Sequence, residues 1–197
     1  MIKNIILDMG NVLINFDPEV PLHTFFDTDS DRDIIRLELF QSSEWVQGDY
    51  GYITNEQRYE PVSKRVPERL HPQLKKCIEK WPSCMTPVSG AISFCNYAKE
   101  KGYHLYVLSN ADKNFDKYFP TFVDPTYFDG IMVSSYVNMI KPELRIYQHF
   151  LETYHLTADE CLFLDDREEN IEGARKVGIH GFVFTGDFGS VIKEYNL

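Results

Sequence analysis

The stretch IILDMGNVLINFD, residues 5–17, places a carboxylate at the end of an apolar run. The run predicts a buried strand, and Gly10 with Asn11 predicts a tight turn just after Asp8. A charge beside a core strand is unfavourable unless a partner offsets it. Asp8 is therefore either a solvated strand end or part of a site where a cation and a substrate meet it, and the stretch alone leaves both open.

Five short apolar runs predict the strands of one sheet, at residues 4–8, 103–110, 130–135, 161–166 and 181–186. They are almost continuously apolar, which is typical of parallel strands covered on both faces. Helical patterns over 87–102, 142–154 and 168–178 separate the later runs, and Pro142 suits a first helical turn. The alternation predicts an α/β fold with a doubly wound parallel sheet.

Residues 16–85 have a different pattern. They contain no strand-like run, but 31–41 is helical in character, and Thr54 with Gln57 is spaced as a helix capping box. We expect residues 16–85 to form a helical cap inserted into an α/β core made of residues 1–15 and 86–197.

The composition limits the classes of function. With 197 residues, 43% of them hydrophobic, the chain can build a sizeable core. A net charge of −10 without a Lys/Arg run argues against nucleic acid as a partner. We see no signal peptide and no apolar segment of membrane-spanning length, so we expect a cytoplasmic protein that does not bind membranes. The four cysteines lack a C-x-x-C pair, and we expect reduced thiols.

Polar residues stand at the predicted strand ends. They are Asp8 after the first strand, Ser109 and Asn110 after the second, Lys141 in the loop after the third, and Asp165 and Asp166 after the fourth. Ligands of open parallel sheets bind beyond the carboxyl ends of the strands, where the strand order reverses. Carboxylates suit Mg²⁺, while a lysine and a hydroxyl offset the charge of phosphoryl oxygens. The set therefore suits a phosphate bound with Mg²⁺.

Each of these residues alone also has an ordinary structural interpretation. A strand-terminal Asp is often a turn residue, and Asp165 with Asp166 could start a solvated acidic helix. Two adjacent carboxylates repel each other unless a cation joins them, however. The combination at several strand ends, in this order, favours a functional site.

The order of these residues resembles the four motifs of the haloacid dehalogenase-like (HAD) hydrolase superfamily. LDMGNVLINFD, VLSNAD, KPELRIYQHFLE and FLDDREENIEGARKVGI resemble in particular its branch of sugar-phosphate phosphatases that includes α-D-glucose-1-phosphate phosphatase. GDYGYITNEQ resembles part of that branch's helical cap. The resemblance implies a Mg²⁺-dependent phosphatase acting on a small phosphorylated metabolite such as glucose 1-phosphate, and it leaves the oligomeric state open.

The resemblance also implies a role for each motif residue. Asp8 would be the nucleophile that forms an aspartyl-phosphate, a route that splits one hard displacement into two easier ones. The Mg²⁺ ligands would be Asp8, the Gly10 carbonyl and Asp166, with Asp165 as an outer or auxiliary ligand. The phosphoryl oxygens would be held by Ser109, the Asn110 backbone and Lys141.

The first motif departs from the usual D-x-D-G pattern, because Gly10 and Asn11 replace its second Asp and its Gly. That second Asp protonates the leaving oxygen and later activates water, a contribution of roughly 10²–10⁴-fold. We favour a substrate whose leaving group needs little protonation, such as an anomeric phosphate. A different acid, Asp17 or a cap residue, is a second possibility. We also expect Gly10 and Asn11 to turn the backbone so that a carbonyl faces the metal.

Three other functions compete with the phosphatase hypothesis. A 2-haloacid dehalogenase on the same fold needs no metal and lacks the acidic pair seen at Asp165 and Asp166. A receiver-type signalling module carries its acidic pair first and its Lys-Pro last, the reverse of the order here. A catalytically weak phosphate-binding or regulatory protein is compatible with Gly10.

Overall fold

The structure, a computed structural model describing residues 1–197, is built around a parallel sheet. The strands are β1 (Asn4–Leu7), β2 (Ile14–Asn15), β3 (Thr86–Pro87), β4 (His104–Ser109), β5 (Gly130–Val133), β6 (Cys161–Asp165) and β7 (His180–Val183). Five of them form the sheet, in the order β5-β4-β1-β6-β7, and every neighbouring pair is parallel. The five predicted strands and the doubly wound sheet are confirmed.

The central strand β1 shows why its sequence is apolar at every position. Ile5 and Leu7 face one hydrophobic core, and Ile6 faces another on the opposite side of the sheet. Successive side chains of a strand alternate between faces, so both faces must be apolar when both are covered. All three residues are completely buried.

Helices cover both faces of this sheet. The α-helices are α1 (Glu19–Phe25), α2 (Asp29–Ile35), α3 (Ser43–Asp49), α4 (Asn55–Ser63), α5 (His71–Lys80), α6 (Ala91–Glu100), α7 (Phe115–Tyr118), α8 (Ser134–Val137), α9 (Leu144–Tyr154), α10 (Glu168–Lys176) and α11 (Phe188–Tyr195). Helices α6 and α11 share the core of Ile5 and Leu7, whereas α9 and α10 share the core of Ile6. The sheet is therefore sandwiched between two helical layers.

Two helices begin later than the sequence pattern predicts. Helix α9 starts at Leu144 and not at Pro142, because Glu143 is still extended (φ −61°, ψ 131°). Helix α6 starts at Ala91, because Thr86 and Pro87 belong to β3 and Gly90 adopts a left-handed conformation (φ +82°). The expectation that each helix opens at its proline is thus wrong.

The helical segment, residues 16–85, contains α1 to α5, a π-helical stretch (Arg36–Phe40) and two 3₁₀ turns (Glu68–Leu70 and Trp81–Cys84). It has a hydrophobic core of ten buried residues of its own. The predicted capping box is present, with Thr54 and Gln57 each accepting the other's backbone N–H at the start of α4. The antiparallel pair of β2 and β3 joins the two ends of this segment.

Further 3₁₀ turns follow at Phe119–Thr121, Pro125–Tyr127 and Ala158–Glu160. All four cysteines are free thiols, as expected from their spacing. None of the helices combines the length and the apolar character needed to cross a bilayer.

Candidate active site

The predicted site residues converge where the strand order reverses. Asp8 follows β1, Ser109 ends the neighbouring strand β4, and Asp165 ends the other neighbour, β6. The crevice beyond such a reversal is where ligands of open α/β sheets bind. The topology alone therefore brings together side chains that are far apart in the chain.

Lys141 is the cation at the centre of this site. Its ammonium lies 2.8 Å from Asp8 Oδ1 and 2.6 Å from Asp165 Oδ2, with only 1% of the side chain exposed. Asn110 holds the lysine in place, since its amide donates to the Lys141 carbonyl (2.9 Å) and accepts from the Lys141 backbone N–H (2.8 Å). Burial opposes the charge of the ammonium, but Asp165 and Asp8 outweigh it and raise the pKa of Lys141.

Asp8 remains short of positive charge despite this ion pair. Its burial raises its pKa to about 7 against the opposing effect of Lys141, and the nearby charges of Asp165 and Asp166 add to the increase. The backbone N–H of Met9 also donates to Asp8 Oδ1 (2.7 Å). An additional cation beside this carboxylate would favour its ionised form.

Asp165 is fully occupied by protein donors. Oδ2 accepts from Lys141 (2.6 Å), and Oδ1 accepts from the Arg167 backbone N–H (2.9 Å). The Asn170 amide donates to both oxygens, at 2.9 and 3.0 Å. The side chain has no exposed surface. This arrangement suits a residue that orients Lys141, and it agrees with an auxiliary place for Asp165 beside a metal.

Three carboxylates form the one group in the chain that could hold a metal ion. One oxygen each from Asp8, Asp165 and Asp166 lies within 4.8 Å of the others. Asp166 is half-buried, and its Oδ2 accepts from Asn11 Nδ2 (2.8 Å). Because Asp165 is saturated with hydrogen bonds, Asp8 and Asp166 are the side chains free to bind a divalent cation. Their hard oxygen donors fit Mg²⁺.

The turn after Asp8 depends on Asn11. Asn11 has φ +56°, whereas Gly10 has no positive φ. The Asn11 side chain accepts from Phe16 N (2.9 Å) and donates to Asp166, so it fixes both the turn and a carboxylate. A Cβ on Gly10 would lie 3.9 Å from Asp8 Oδ2, an ordinary contact. Of the two residues expected to turn the backbone, Asn11 therefore adopts the left-handed conformation and Gly10 does not.

Ser109 carries a free hydroxyl in this region. The residue is 1% exposed, and its Oγ has no hydrogen-bond partner within the protein. A buried hydroxyl without a partner is unfavourable unless something else supplies one. The hydroxyl is available to a ligand that enters beside Asp8.

A cavity of about 180 Å³ opens between these residues and the helical segment. Asp8, Gly10, Asn110, Lys141 and Asp166 line it from the strand ends. Its other walls carry four aromatic rings and two further carboxylates: Phe16, Trp45, Trp81, Tyr118, Asp49 and Asp112. The cavity therefore combines a charged floor with a largely aromatic roof.

Asp49 is a cavity carboxylic acid outside the strand ends whose pKa is raised. Burial raises its pKa to about 7, Arg58 opposes the increase, and Asp112 adds to it. Arg58 is 1% exposed, stacks over the Trp45 ring (4.5 Å from its centroid), and leaves Nε and Nη1 without partners. Burial lowers the pKa of Arg58, although Asp112 and Asp49 support its charge.

Sequence reasoning missed Asn170, Asp49 and Arg58 as site residues. Asn170 lies five residues after Asp165, a spacing at which the first turn of α10 can return to the strand end, so the run DDREEN held a usable signal. Asp49 and Arg58 left none, because only the docking of the helical segment brings Asp49 to the cavity, and Arg58 is buried within that segment beside Gly48 and Trp45. Asp17, the acid named from the sequence, is exposed and caps Glu19 N (2.9 Å) outside the cavity.

Known proteins with similar sequences and structures include phosphatases. The chain is 26% identical to a sesquiterpene phosphatase of Aspergillus oryzae, over 97% of this chain and 94% of that protein. It is 23% identical to the D-ribitol-5-phosphate phosphatase of Bacteroides thetaiotaomicron, over 92% and 91% of the two chains. A crystal structure of a HAD family enzyme from the same bacterium, in complex with magnesium and inorganic phosphate, superimposes with a TM-score of 0.78. That comparison has 25% identity and covers 97% of this chain and 99% of the other.

The sequence profile of one family extends over most of the chain. The profile of haloacid dehalogenase-like hydrolases matches residues 2–178, a range that includes all of the strand-end residues described above. The expected membership of the superfamily is thereby confirmed. The protein is a hydrolase and belongs to the haloacid dehalogenase-like family.

Proposed function

We propose that the protein is a Mg²⁺-dependent phosphatase that hydrolyses a small phosphorylated metabolite through an aspartyl-phosphate on Asp8. The observation that carries the proposal is the position of Asp8 at the mouth of the sheet. It is buried beside Lys141 and Asp166 and opens onto a cavity. The phosphatase relatives and the solved relative with magnesium and phosphate support the same reaction.

In this proposal, Mg²⁺ would be bound by Asp8, the Gly10 carbonyl and Asp166. Asp165 would be an outer or auxiliary ligand. The donor set is made of oxygens, as Mg²⁺ prefers, and Asn11 aims Asp166 towards Asp8. When bound, Mg²⁺ neutralises negative charge on the nucleophile and on the phosphoryl group. Asp165, through its hydrogen bond to Lys141, positions the lysine that faces the same phosphoryl group.

The phosphoryl oxygens are bound by Ser109, the Asn110 backbone and Lys141. The partnerless Ser109 hydroxyl gains a hydrogen bond to a phosphoryl oxygen, and charge-assisted bonds of this kind are stronger than neutral ones. Lys141 supplies the positive charge that stabilises the developing negative charge during transfer. Asn110 keeps the lysine in register by its two hydrogen bonds to the Lys141 backbone.

The substrate in this proposal is a sugar phosphate such as glucose 1-phosphate, handled by a cytoplasmic enzyme. The cavity of about 180 Å³ is small compared with ordinary ligand pockets of roughly 300–1,000 Å³, so it suits a small leaving group. Residues 16–85 act as the cap that covers the site and keeps water from the phosphoenzyme. An anomeric leaving group would be the most tolerant of glycine at position 10.

Phosphate release from a panel of sugar phosphates and an aryl phosphate, with Mg²⁺ and with a chelator, tests the proposal. We expect Mg²⁺-dependent release that Asp8→Asn abolishes and that the exposed-residue control Asp17→Asn retains. Faster cleavage of glucose 1-phosphate than of glucose 6-phosphate would support an anomeric substrate, and equal rates would refute it. A folded protein that binds phosphate but releases none from any substrate would instead favour the binding role.

A further inference from the structure

We propose, building on the phosphatase function above, that Asp49 of the helical segment is the acid that protonates the leaving oxygen. It takes the place of the carboxyl group that Gly10 lacks. The acid thus comes from the segment over the site, not from the turn after β1. Asp49 is the last residue of α3 and lines the same cavity as Asp8.

The backbone of Asp49 is anchored to the strand-end region. Ser134 Oγ donates to the Asp49 carbonyl (2.6 Å) and accepts from the Ala111 backbone N–H (3.0 Å), two residues after Ser109. The next residue, Tyr50, is anchored as well, because Asn138 Nδ2 donates to its carbonyl (2.7 Å). The side chain is therefore held over the cavity by the same part of the molecule that carries the phosphate-binding residues.

The Asp49 carboxyl group is free to exchange a proton with a ligand. It forms no hydrogen bond and no ion pair within the chain, and it borders the cavity. Arg58 lies beside the preceding residue, since a Cβ on Gly48 would come within 1.9 Å of Arg58 Nη2. Burial outweighs the effect of Arg58 and keeps the pKa of Asp49 near 7, where an acid is most effective at neutral pH.

The other carboxylates near the cavity are less suited to this role. Asp17 is exposed and lies outside the cavity. Asp112 lines the cavity, but its Oδ1 accepts the Asn114 backbone N–H (2.8 Å). One oxygen of Asp112 is thus engaged by the backbone, whereas neither oxygen of the Asp49 carboxyl group is.

The proton transfers balance over the two half-reactions. In the first, an Asp8 oxygen bonds to phosphorus, the bond from phosphorus to the leaving oxygen breaks, and that oxygen takes the Asp49 proton to leave as an alcohol. In the second, the Asp49 carboxylate takes a proton from water as that water attacks phosphorus. The bond from phosphorus to Asp8 then breaks, which releases inorganic phosphate and restores protonated Asp49.

The test compares kcat/KM for phenyl phosphate and 4-nitrophenyl phosphate, which have similar shapes but differ in how much protonation the leaving group needs. We expect Asp49→Asn to lower kcat/KM for phenyl phosphate by roughly 10²-fold or more. The loss with 4-nitrophenyl phosphate should be at least tenfold smaller. Residual turnover of 4-nitrophenyl phosphate also shows that the variant is folded.

Asp112→Asn is the matched control, a second cavity carboxylate changed to its amide. It should alter the two substrates by similar factors. If Asp49→Asn also alters both equally, or alters neither, the acid role of Asp49 is refuted while the phosphatase function stands. A wild-type protein that releases phosphate from neither these two substrates nor the sugar phosphates would refute the phosphatase function itself.

Discussion

Asp8 and Lys141 form a buried ion pair, with Lys141 Nζ 2.8 Å from Asp8 Oδ1. The same ammonium lies 2.6 Å from Asp165 Oδ2, so one cation serves two carboxylates. Asp166 brings a third negative charge close to both. The site thus carries an excess of negative charge that a divalent cation would offset.

Lys141→Met should destabilise the protein strongly at neutral pH. The change leaves Asp8 and Asp165 buried without their cation, and breaking a buried pair in this way costs about 3–5 kcal/mol. Urea unfolding at pH 7 measures the loss. Lys64→Met is the control, because Lys64 and its partner Glu60 are 70% and 77% exposed and surface pairs of this kind contribute little. Equal stability of the two variants would contradict the structural role of Lys141.

Ser109→Ala should weaken phosphate binding without lowering stability. The Ser109 hydroxyl has no partner in the protein, so its removal breaks no hydrogen bond. A lost hydrogen bond to a charged phosphoryl group is worth about 1.5–3 kcal/mol, which corresponds to roughly 10–100-fold in the inhibition constant of inorganic phosphate.

Ser134→Ala is the matched control for this prediction. Ser134 is also buried, but its hydroxyl bonds to the Asp49 carbonyl and the Ala111 N–H, so its removal should cost about 1–3 kcal/mol of unfolding free energy. A Ser109→Ala variant that is as unstable as Ser134→Ala, or that binds phosphate like the wild type, would rule out the assigned role of the Ser109 hydroxyl.

Asn170→Ala should lower the unfolding free energy of the protein by removing hydrogen bonds to Asp165. Asn170 Nδ2 donates to both oxygens of the buried Asp165, and removing a donor to a buried charge costs about 1–3 kcal/mol or more. The exposed Asn96, on α6, provides the control Asn96→Ala. The unfolding free energies of the two variants, measured in urea, should differ by this amount. Equal values would show that the Arg167 backbone N–H and Lys141 alone are enough to stabilise buried Asp165.

The strand-end residues were predictable from the sequence because their positions follow from the strand pattern of the fold. A continuous apolar run predicts a strand buried on both faces, and parallel strands bring their carboxyl ends to one edge. The sequence pattern alone therefore predicts that one site contains Asp8, Ser109 and Asp165. Their mutual geometry was not predictable, since the sequence does not show that Asp165 is saturated by Lys141 and Asn170.

The wall formed by the helical segment was not predictable in the same way. Asp49 reaches the cavity because α3 docks against α8 and Asn138, a contact with no periodic pattern behind it. The turn after Asp8 was expected from Gly10 and Asn11 together. The sequence did not show which of the two residues would adopt the left-handed conformation, and in the structure it is Asn11.

Asp49→Asn should change how stability depends on pH. The folded-state pKa of Asp49, about 7, lies above its ordinary value of 3.8. Between these values the folded state therefore binds more protons than the unfolded state, and the contribution of Asp49 to stability falls as pH rises towards 7. A side-chain amide, such as that of Asn170, does not titrate. Asn at position 49 therefore removes the pH dependence of stability that Asp49 contributes. The unfolding free energy of the variant minus that of the wild type should thus increase from pH 5 to 7, by at most about 1.4 kcal/mol per pH unit, and level off above pH 7.

Urea unfolding at pH 5, 6, 7 and 8, with chelator present, measures this difference. The charged groups that act on Asp49 are Arg58, Asp112, Lys141 and Arg167, and they are the same in both proteins. Asp187→Asn is the control, because hydrogen bonds from Ser190 and Gly189 hold the pKa of exposed Asp187 below its usual value. Its difference from the wild type should be constant over this range, since Asp187 is ionised throughout in both states. A difference for Asp49→Asn that is equally constant would mean that Asp49 is ionised in the folded protein at pH 5, and the protein would then lack the proton that the leaving group needs.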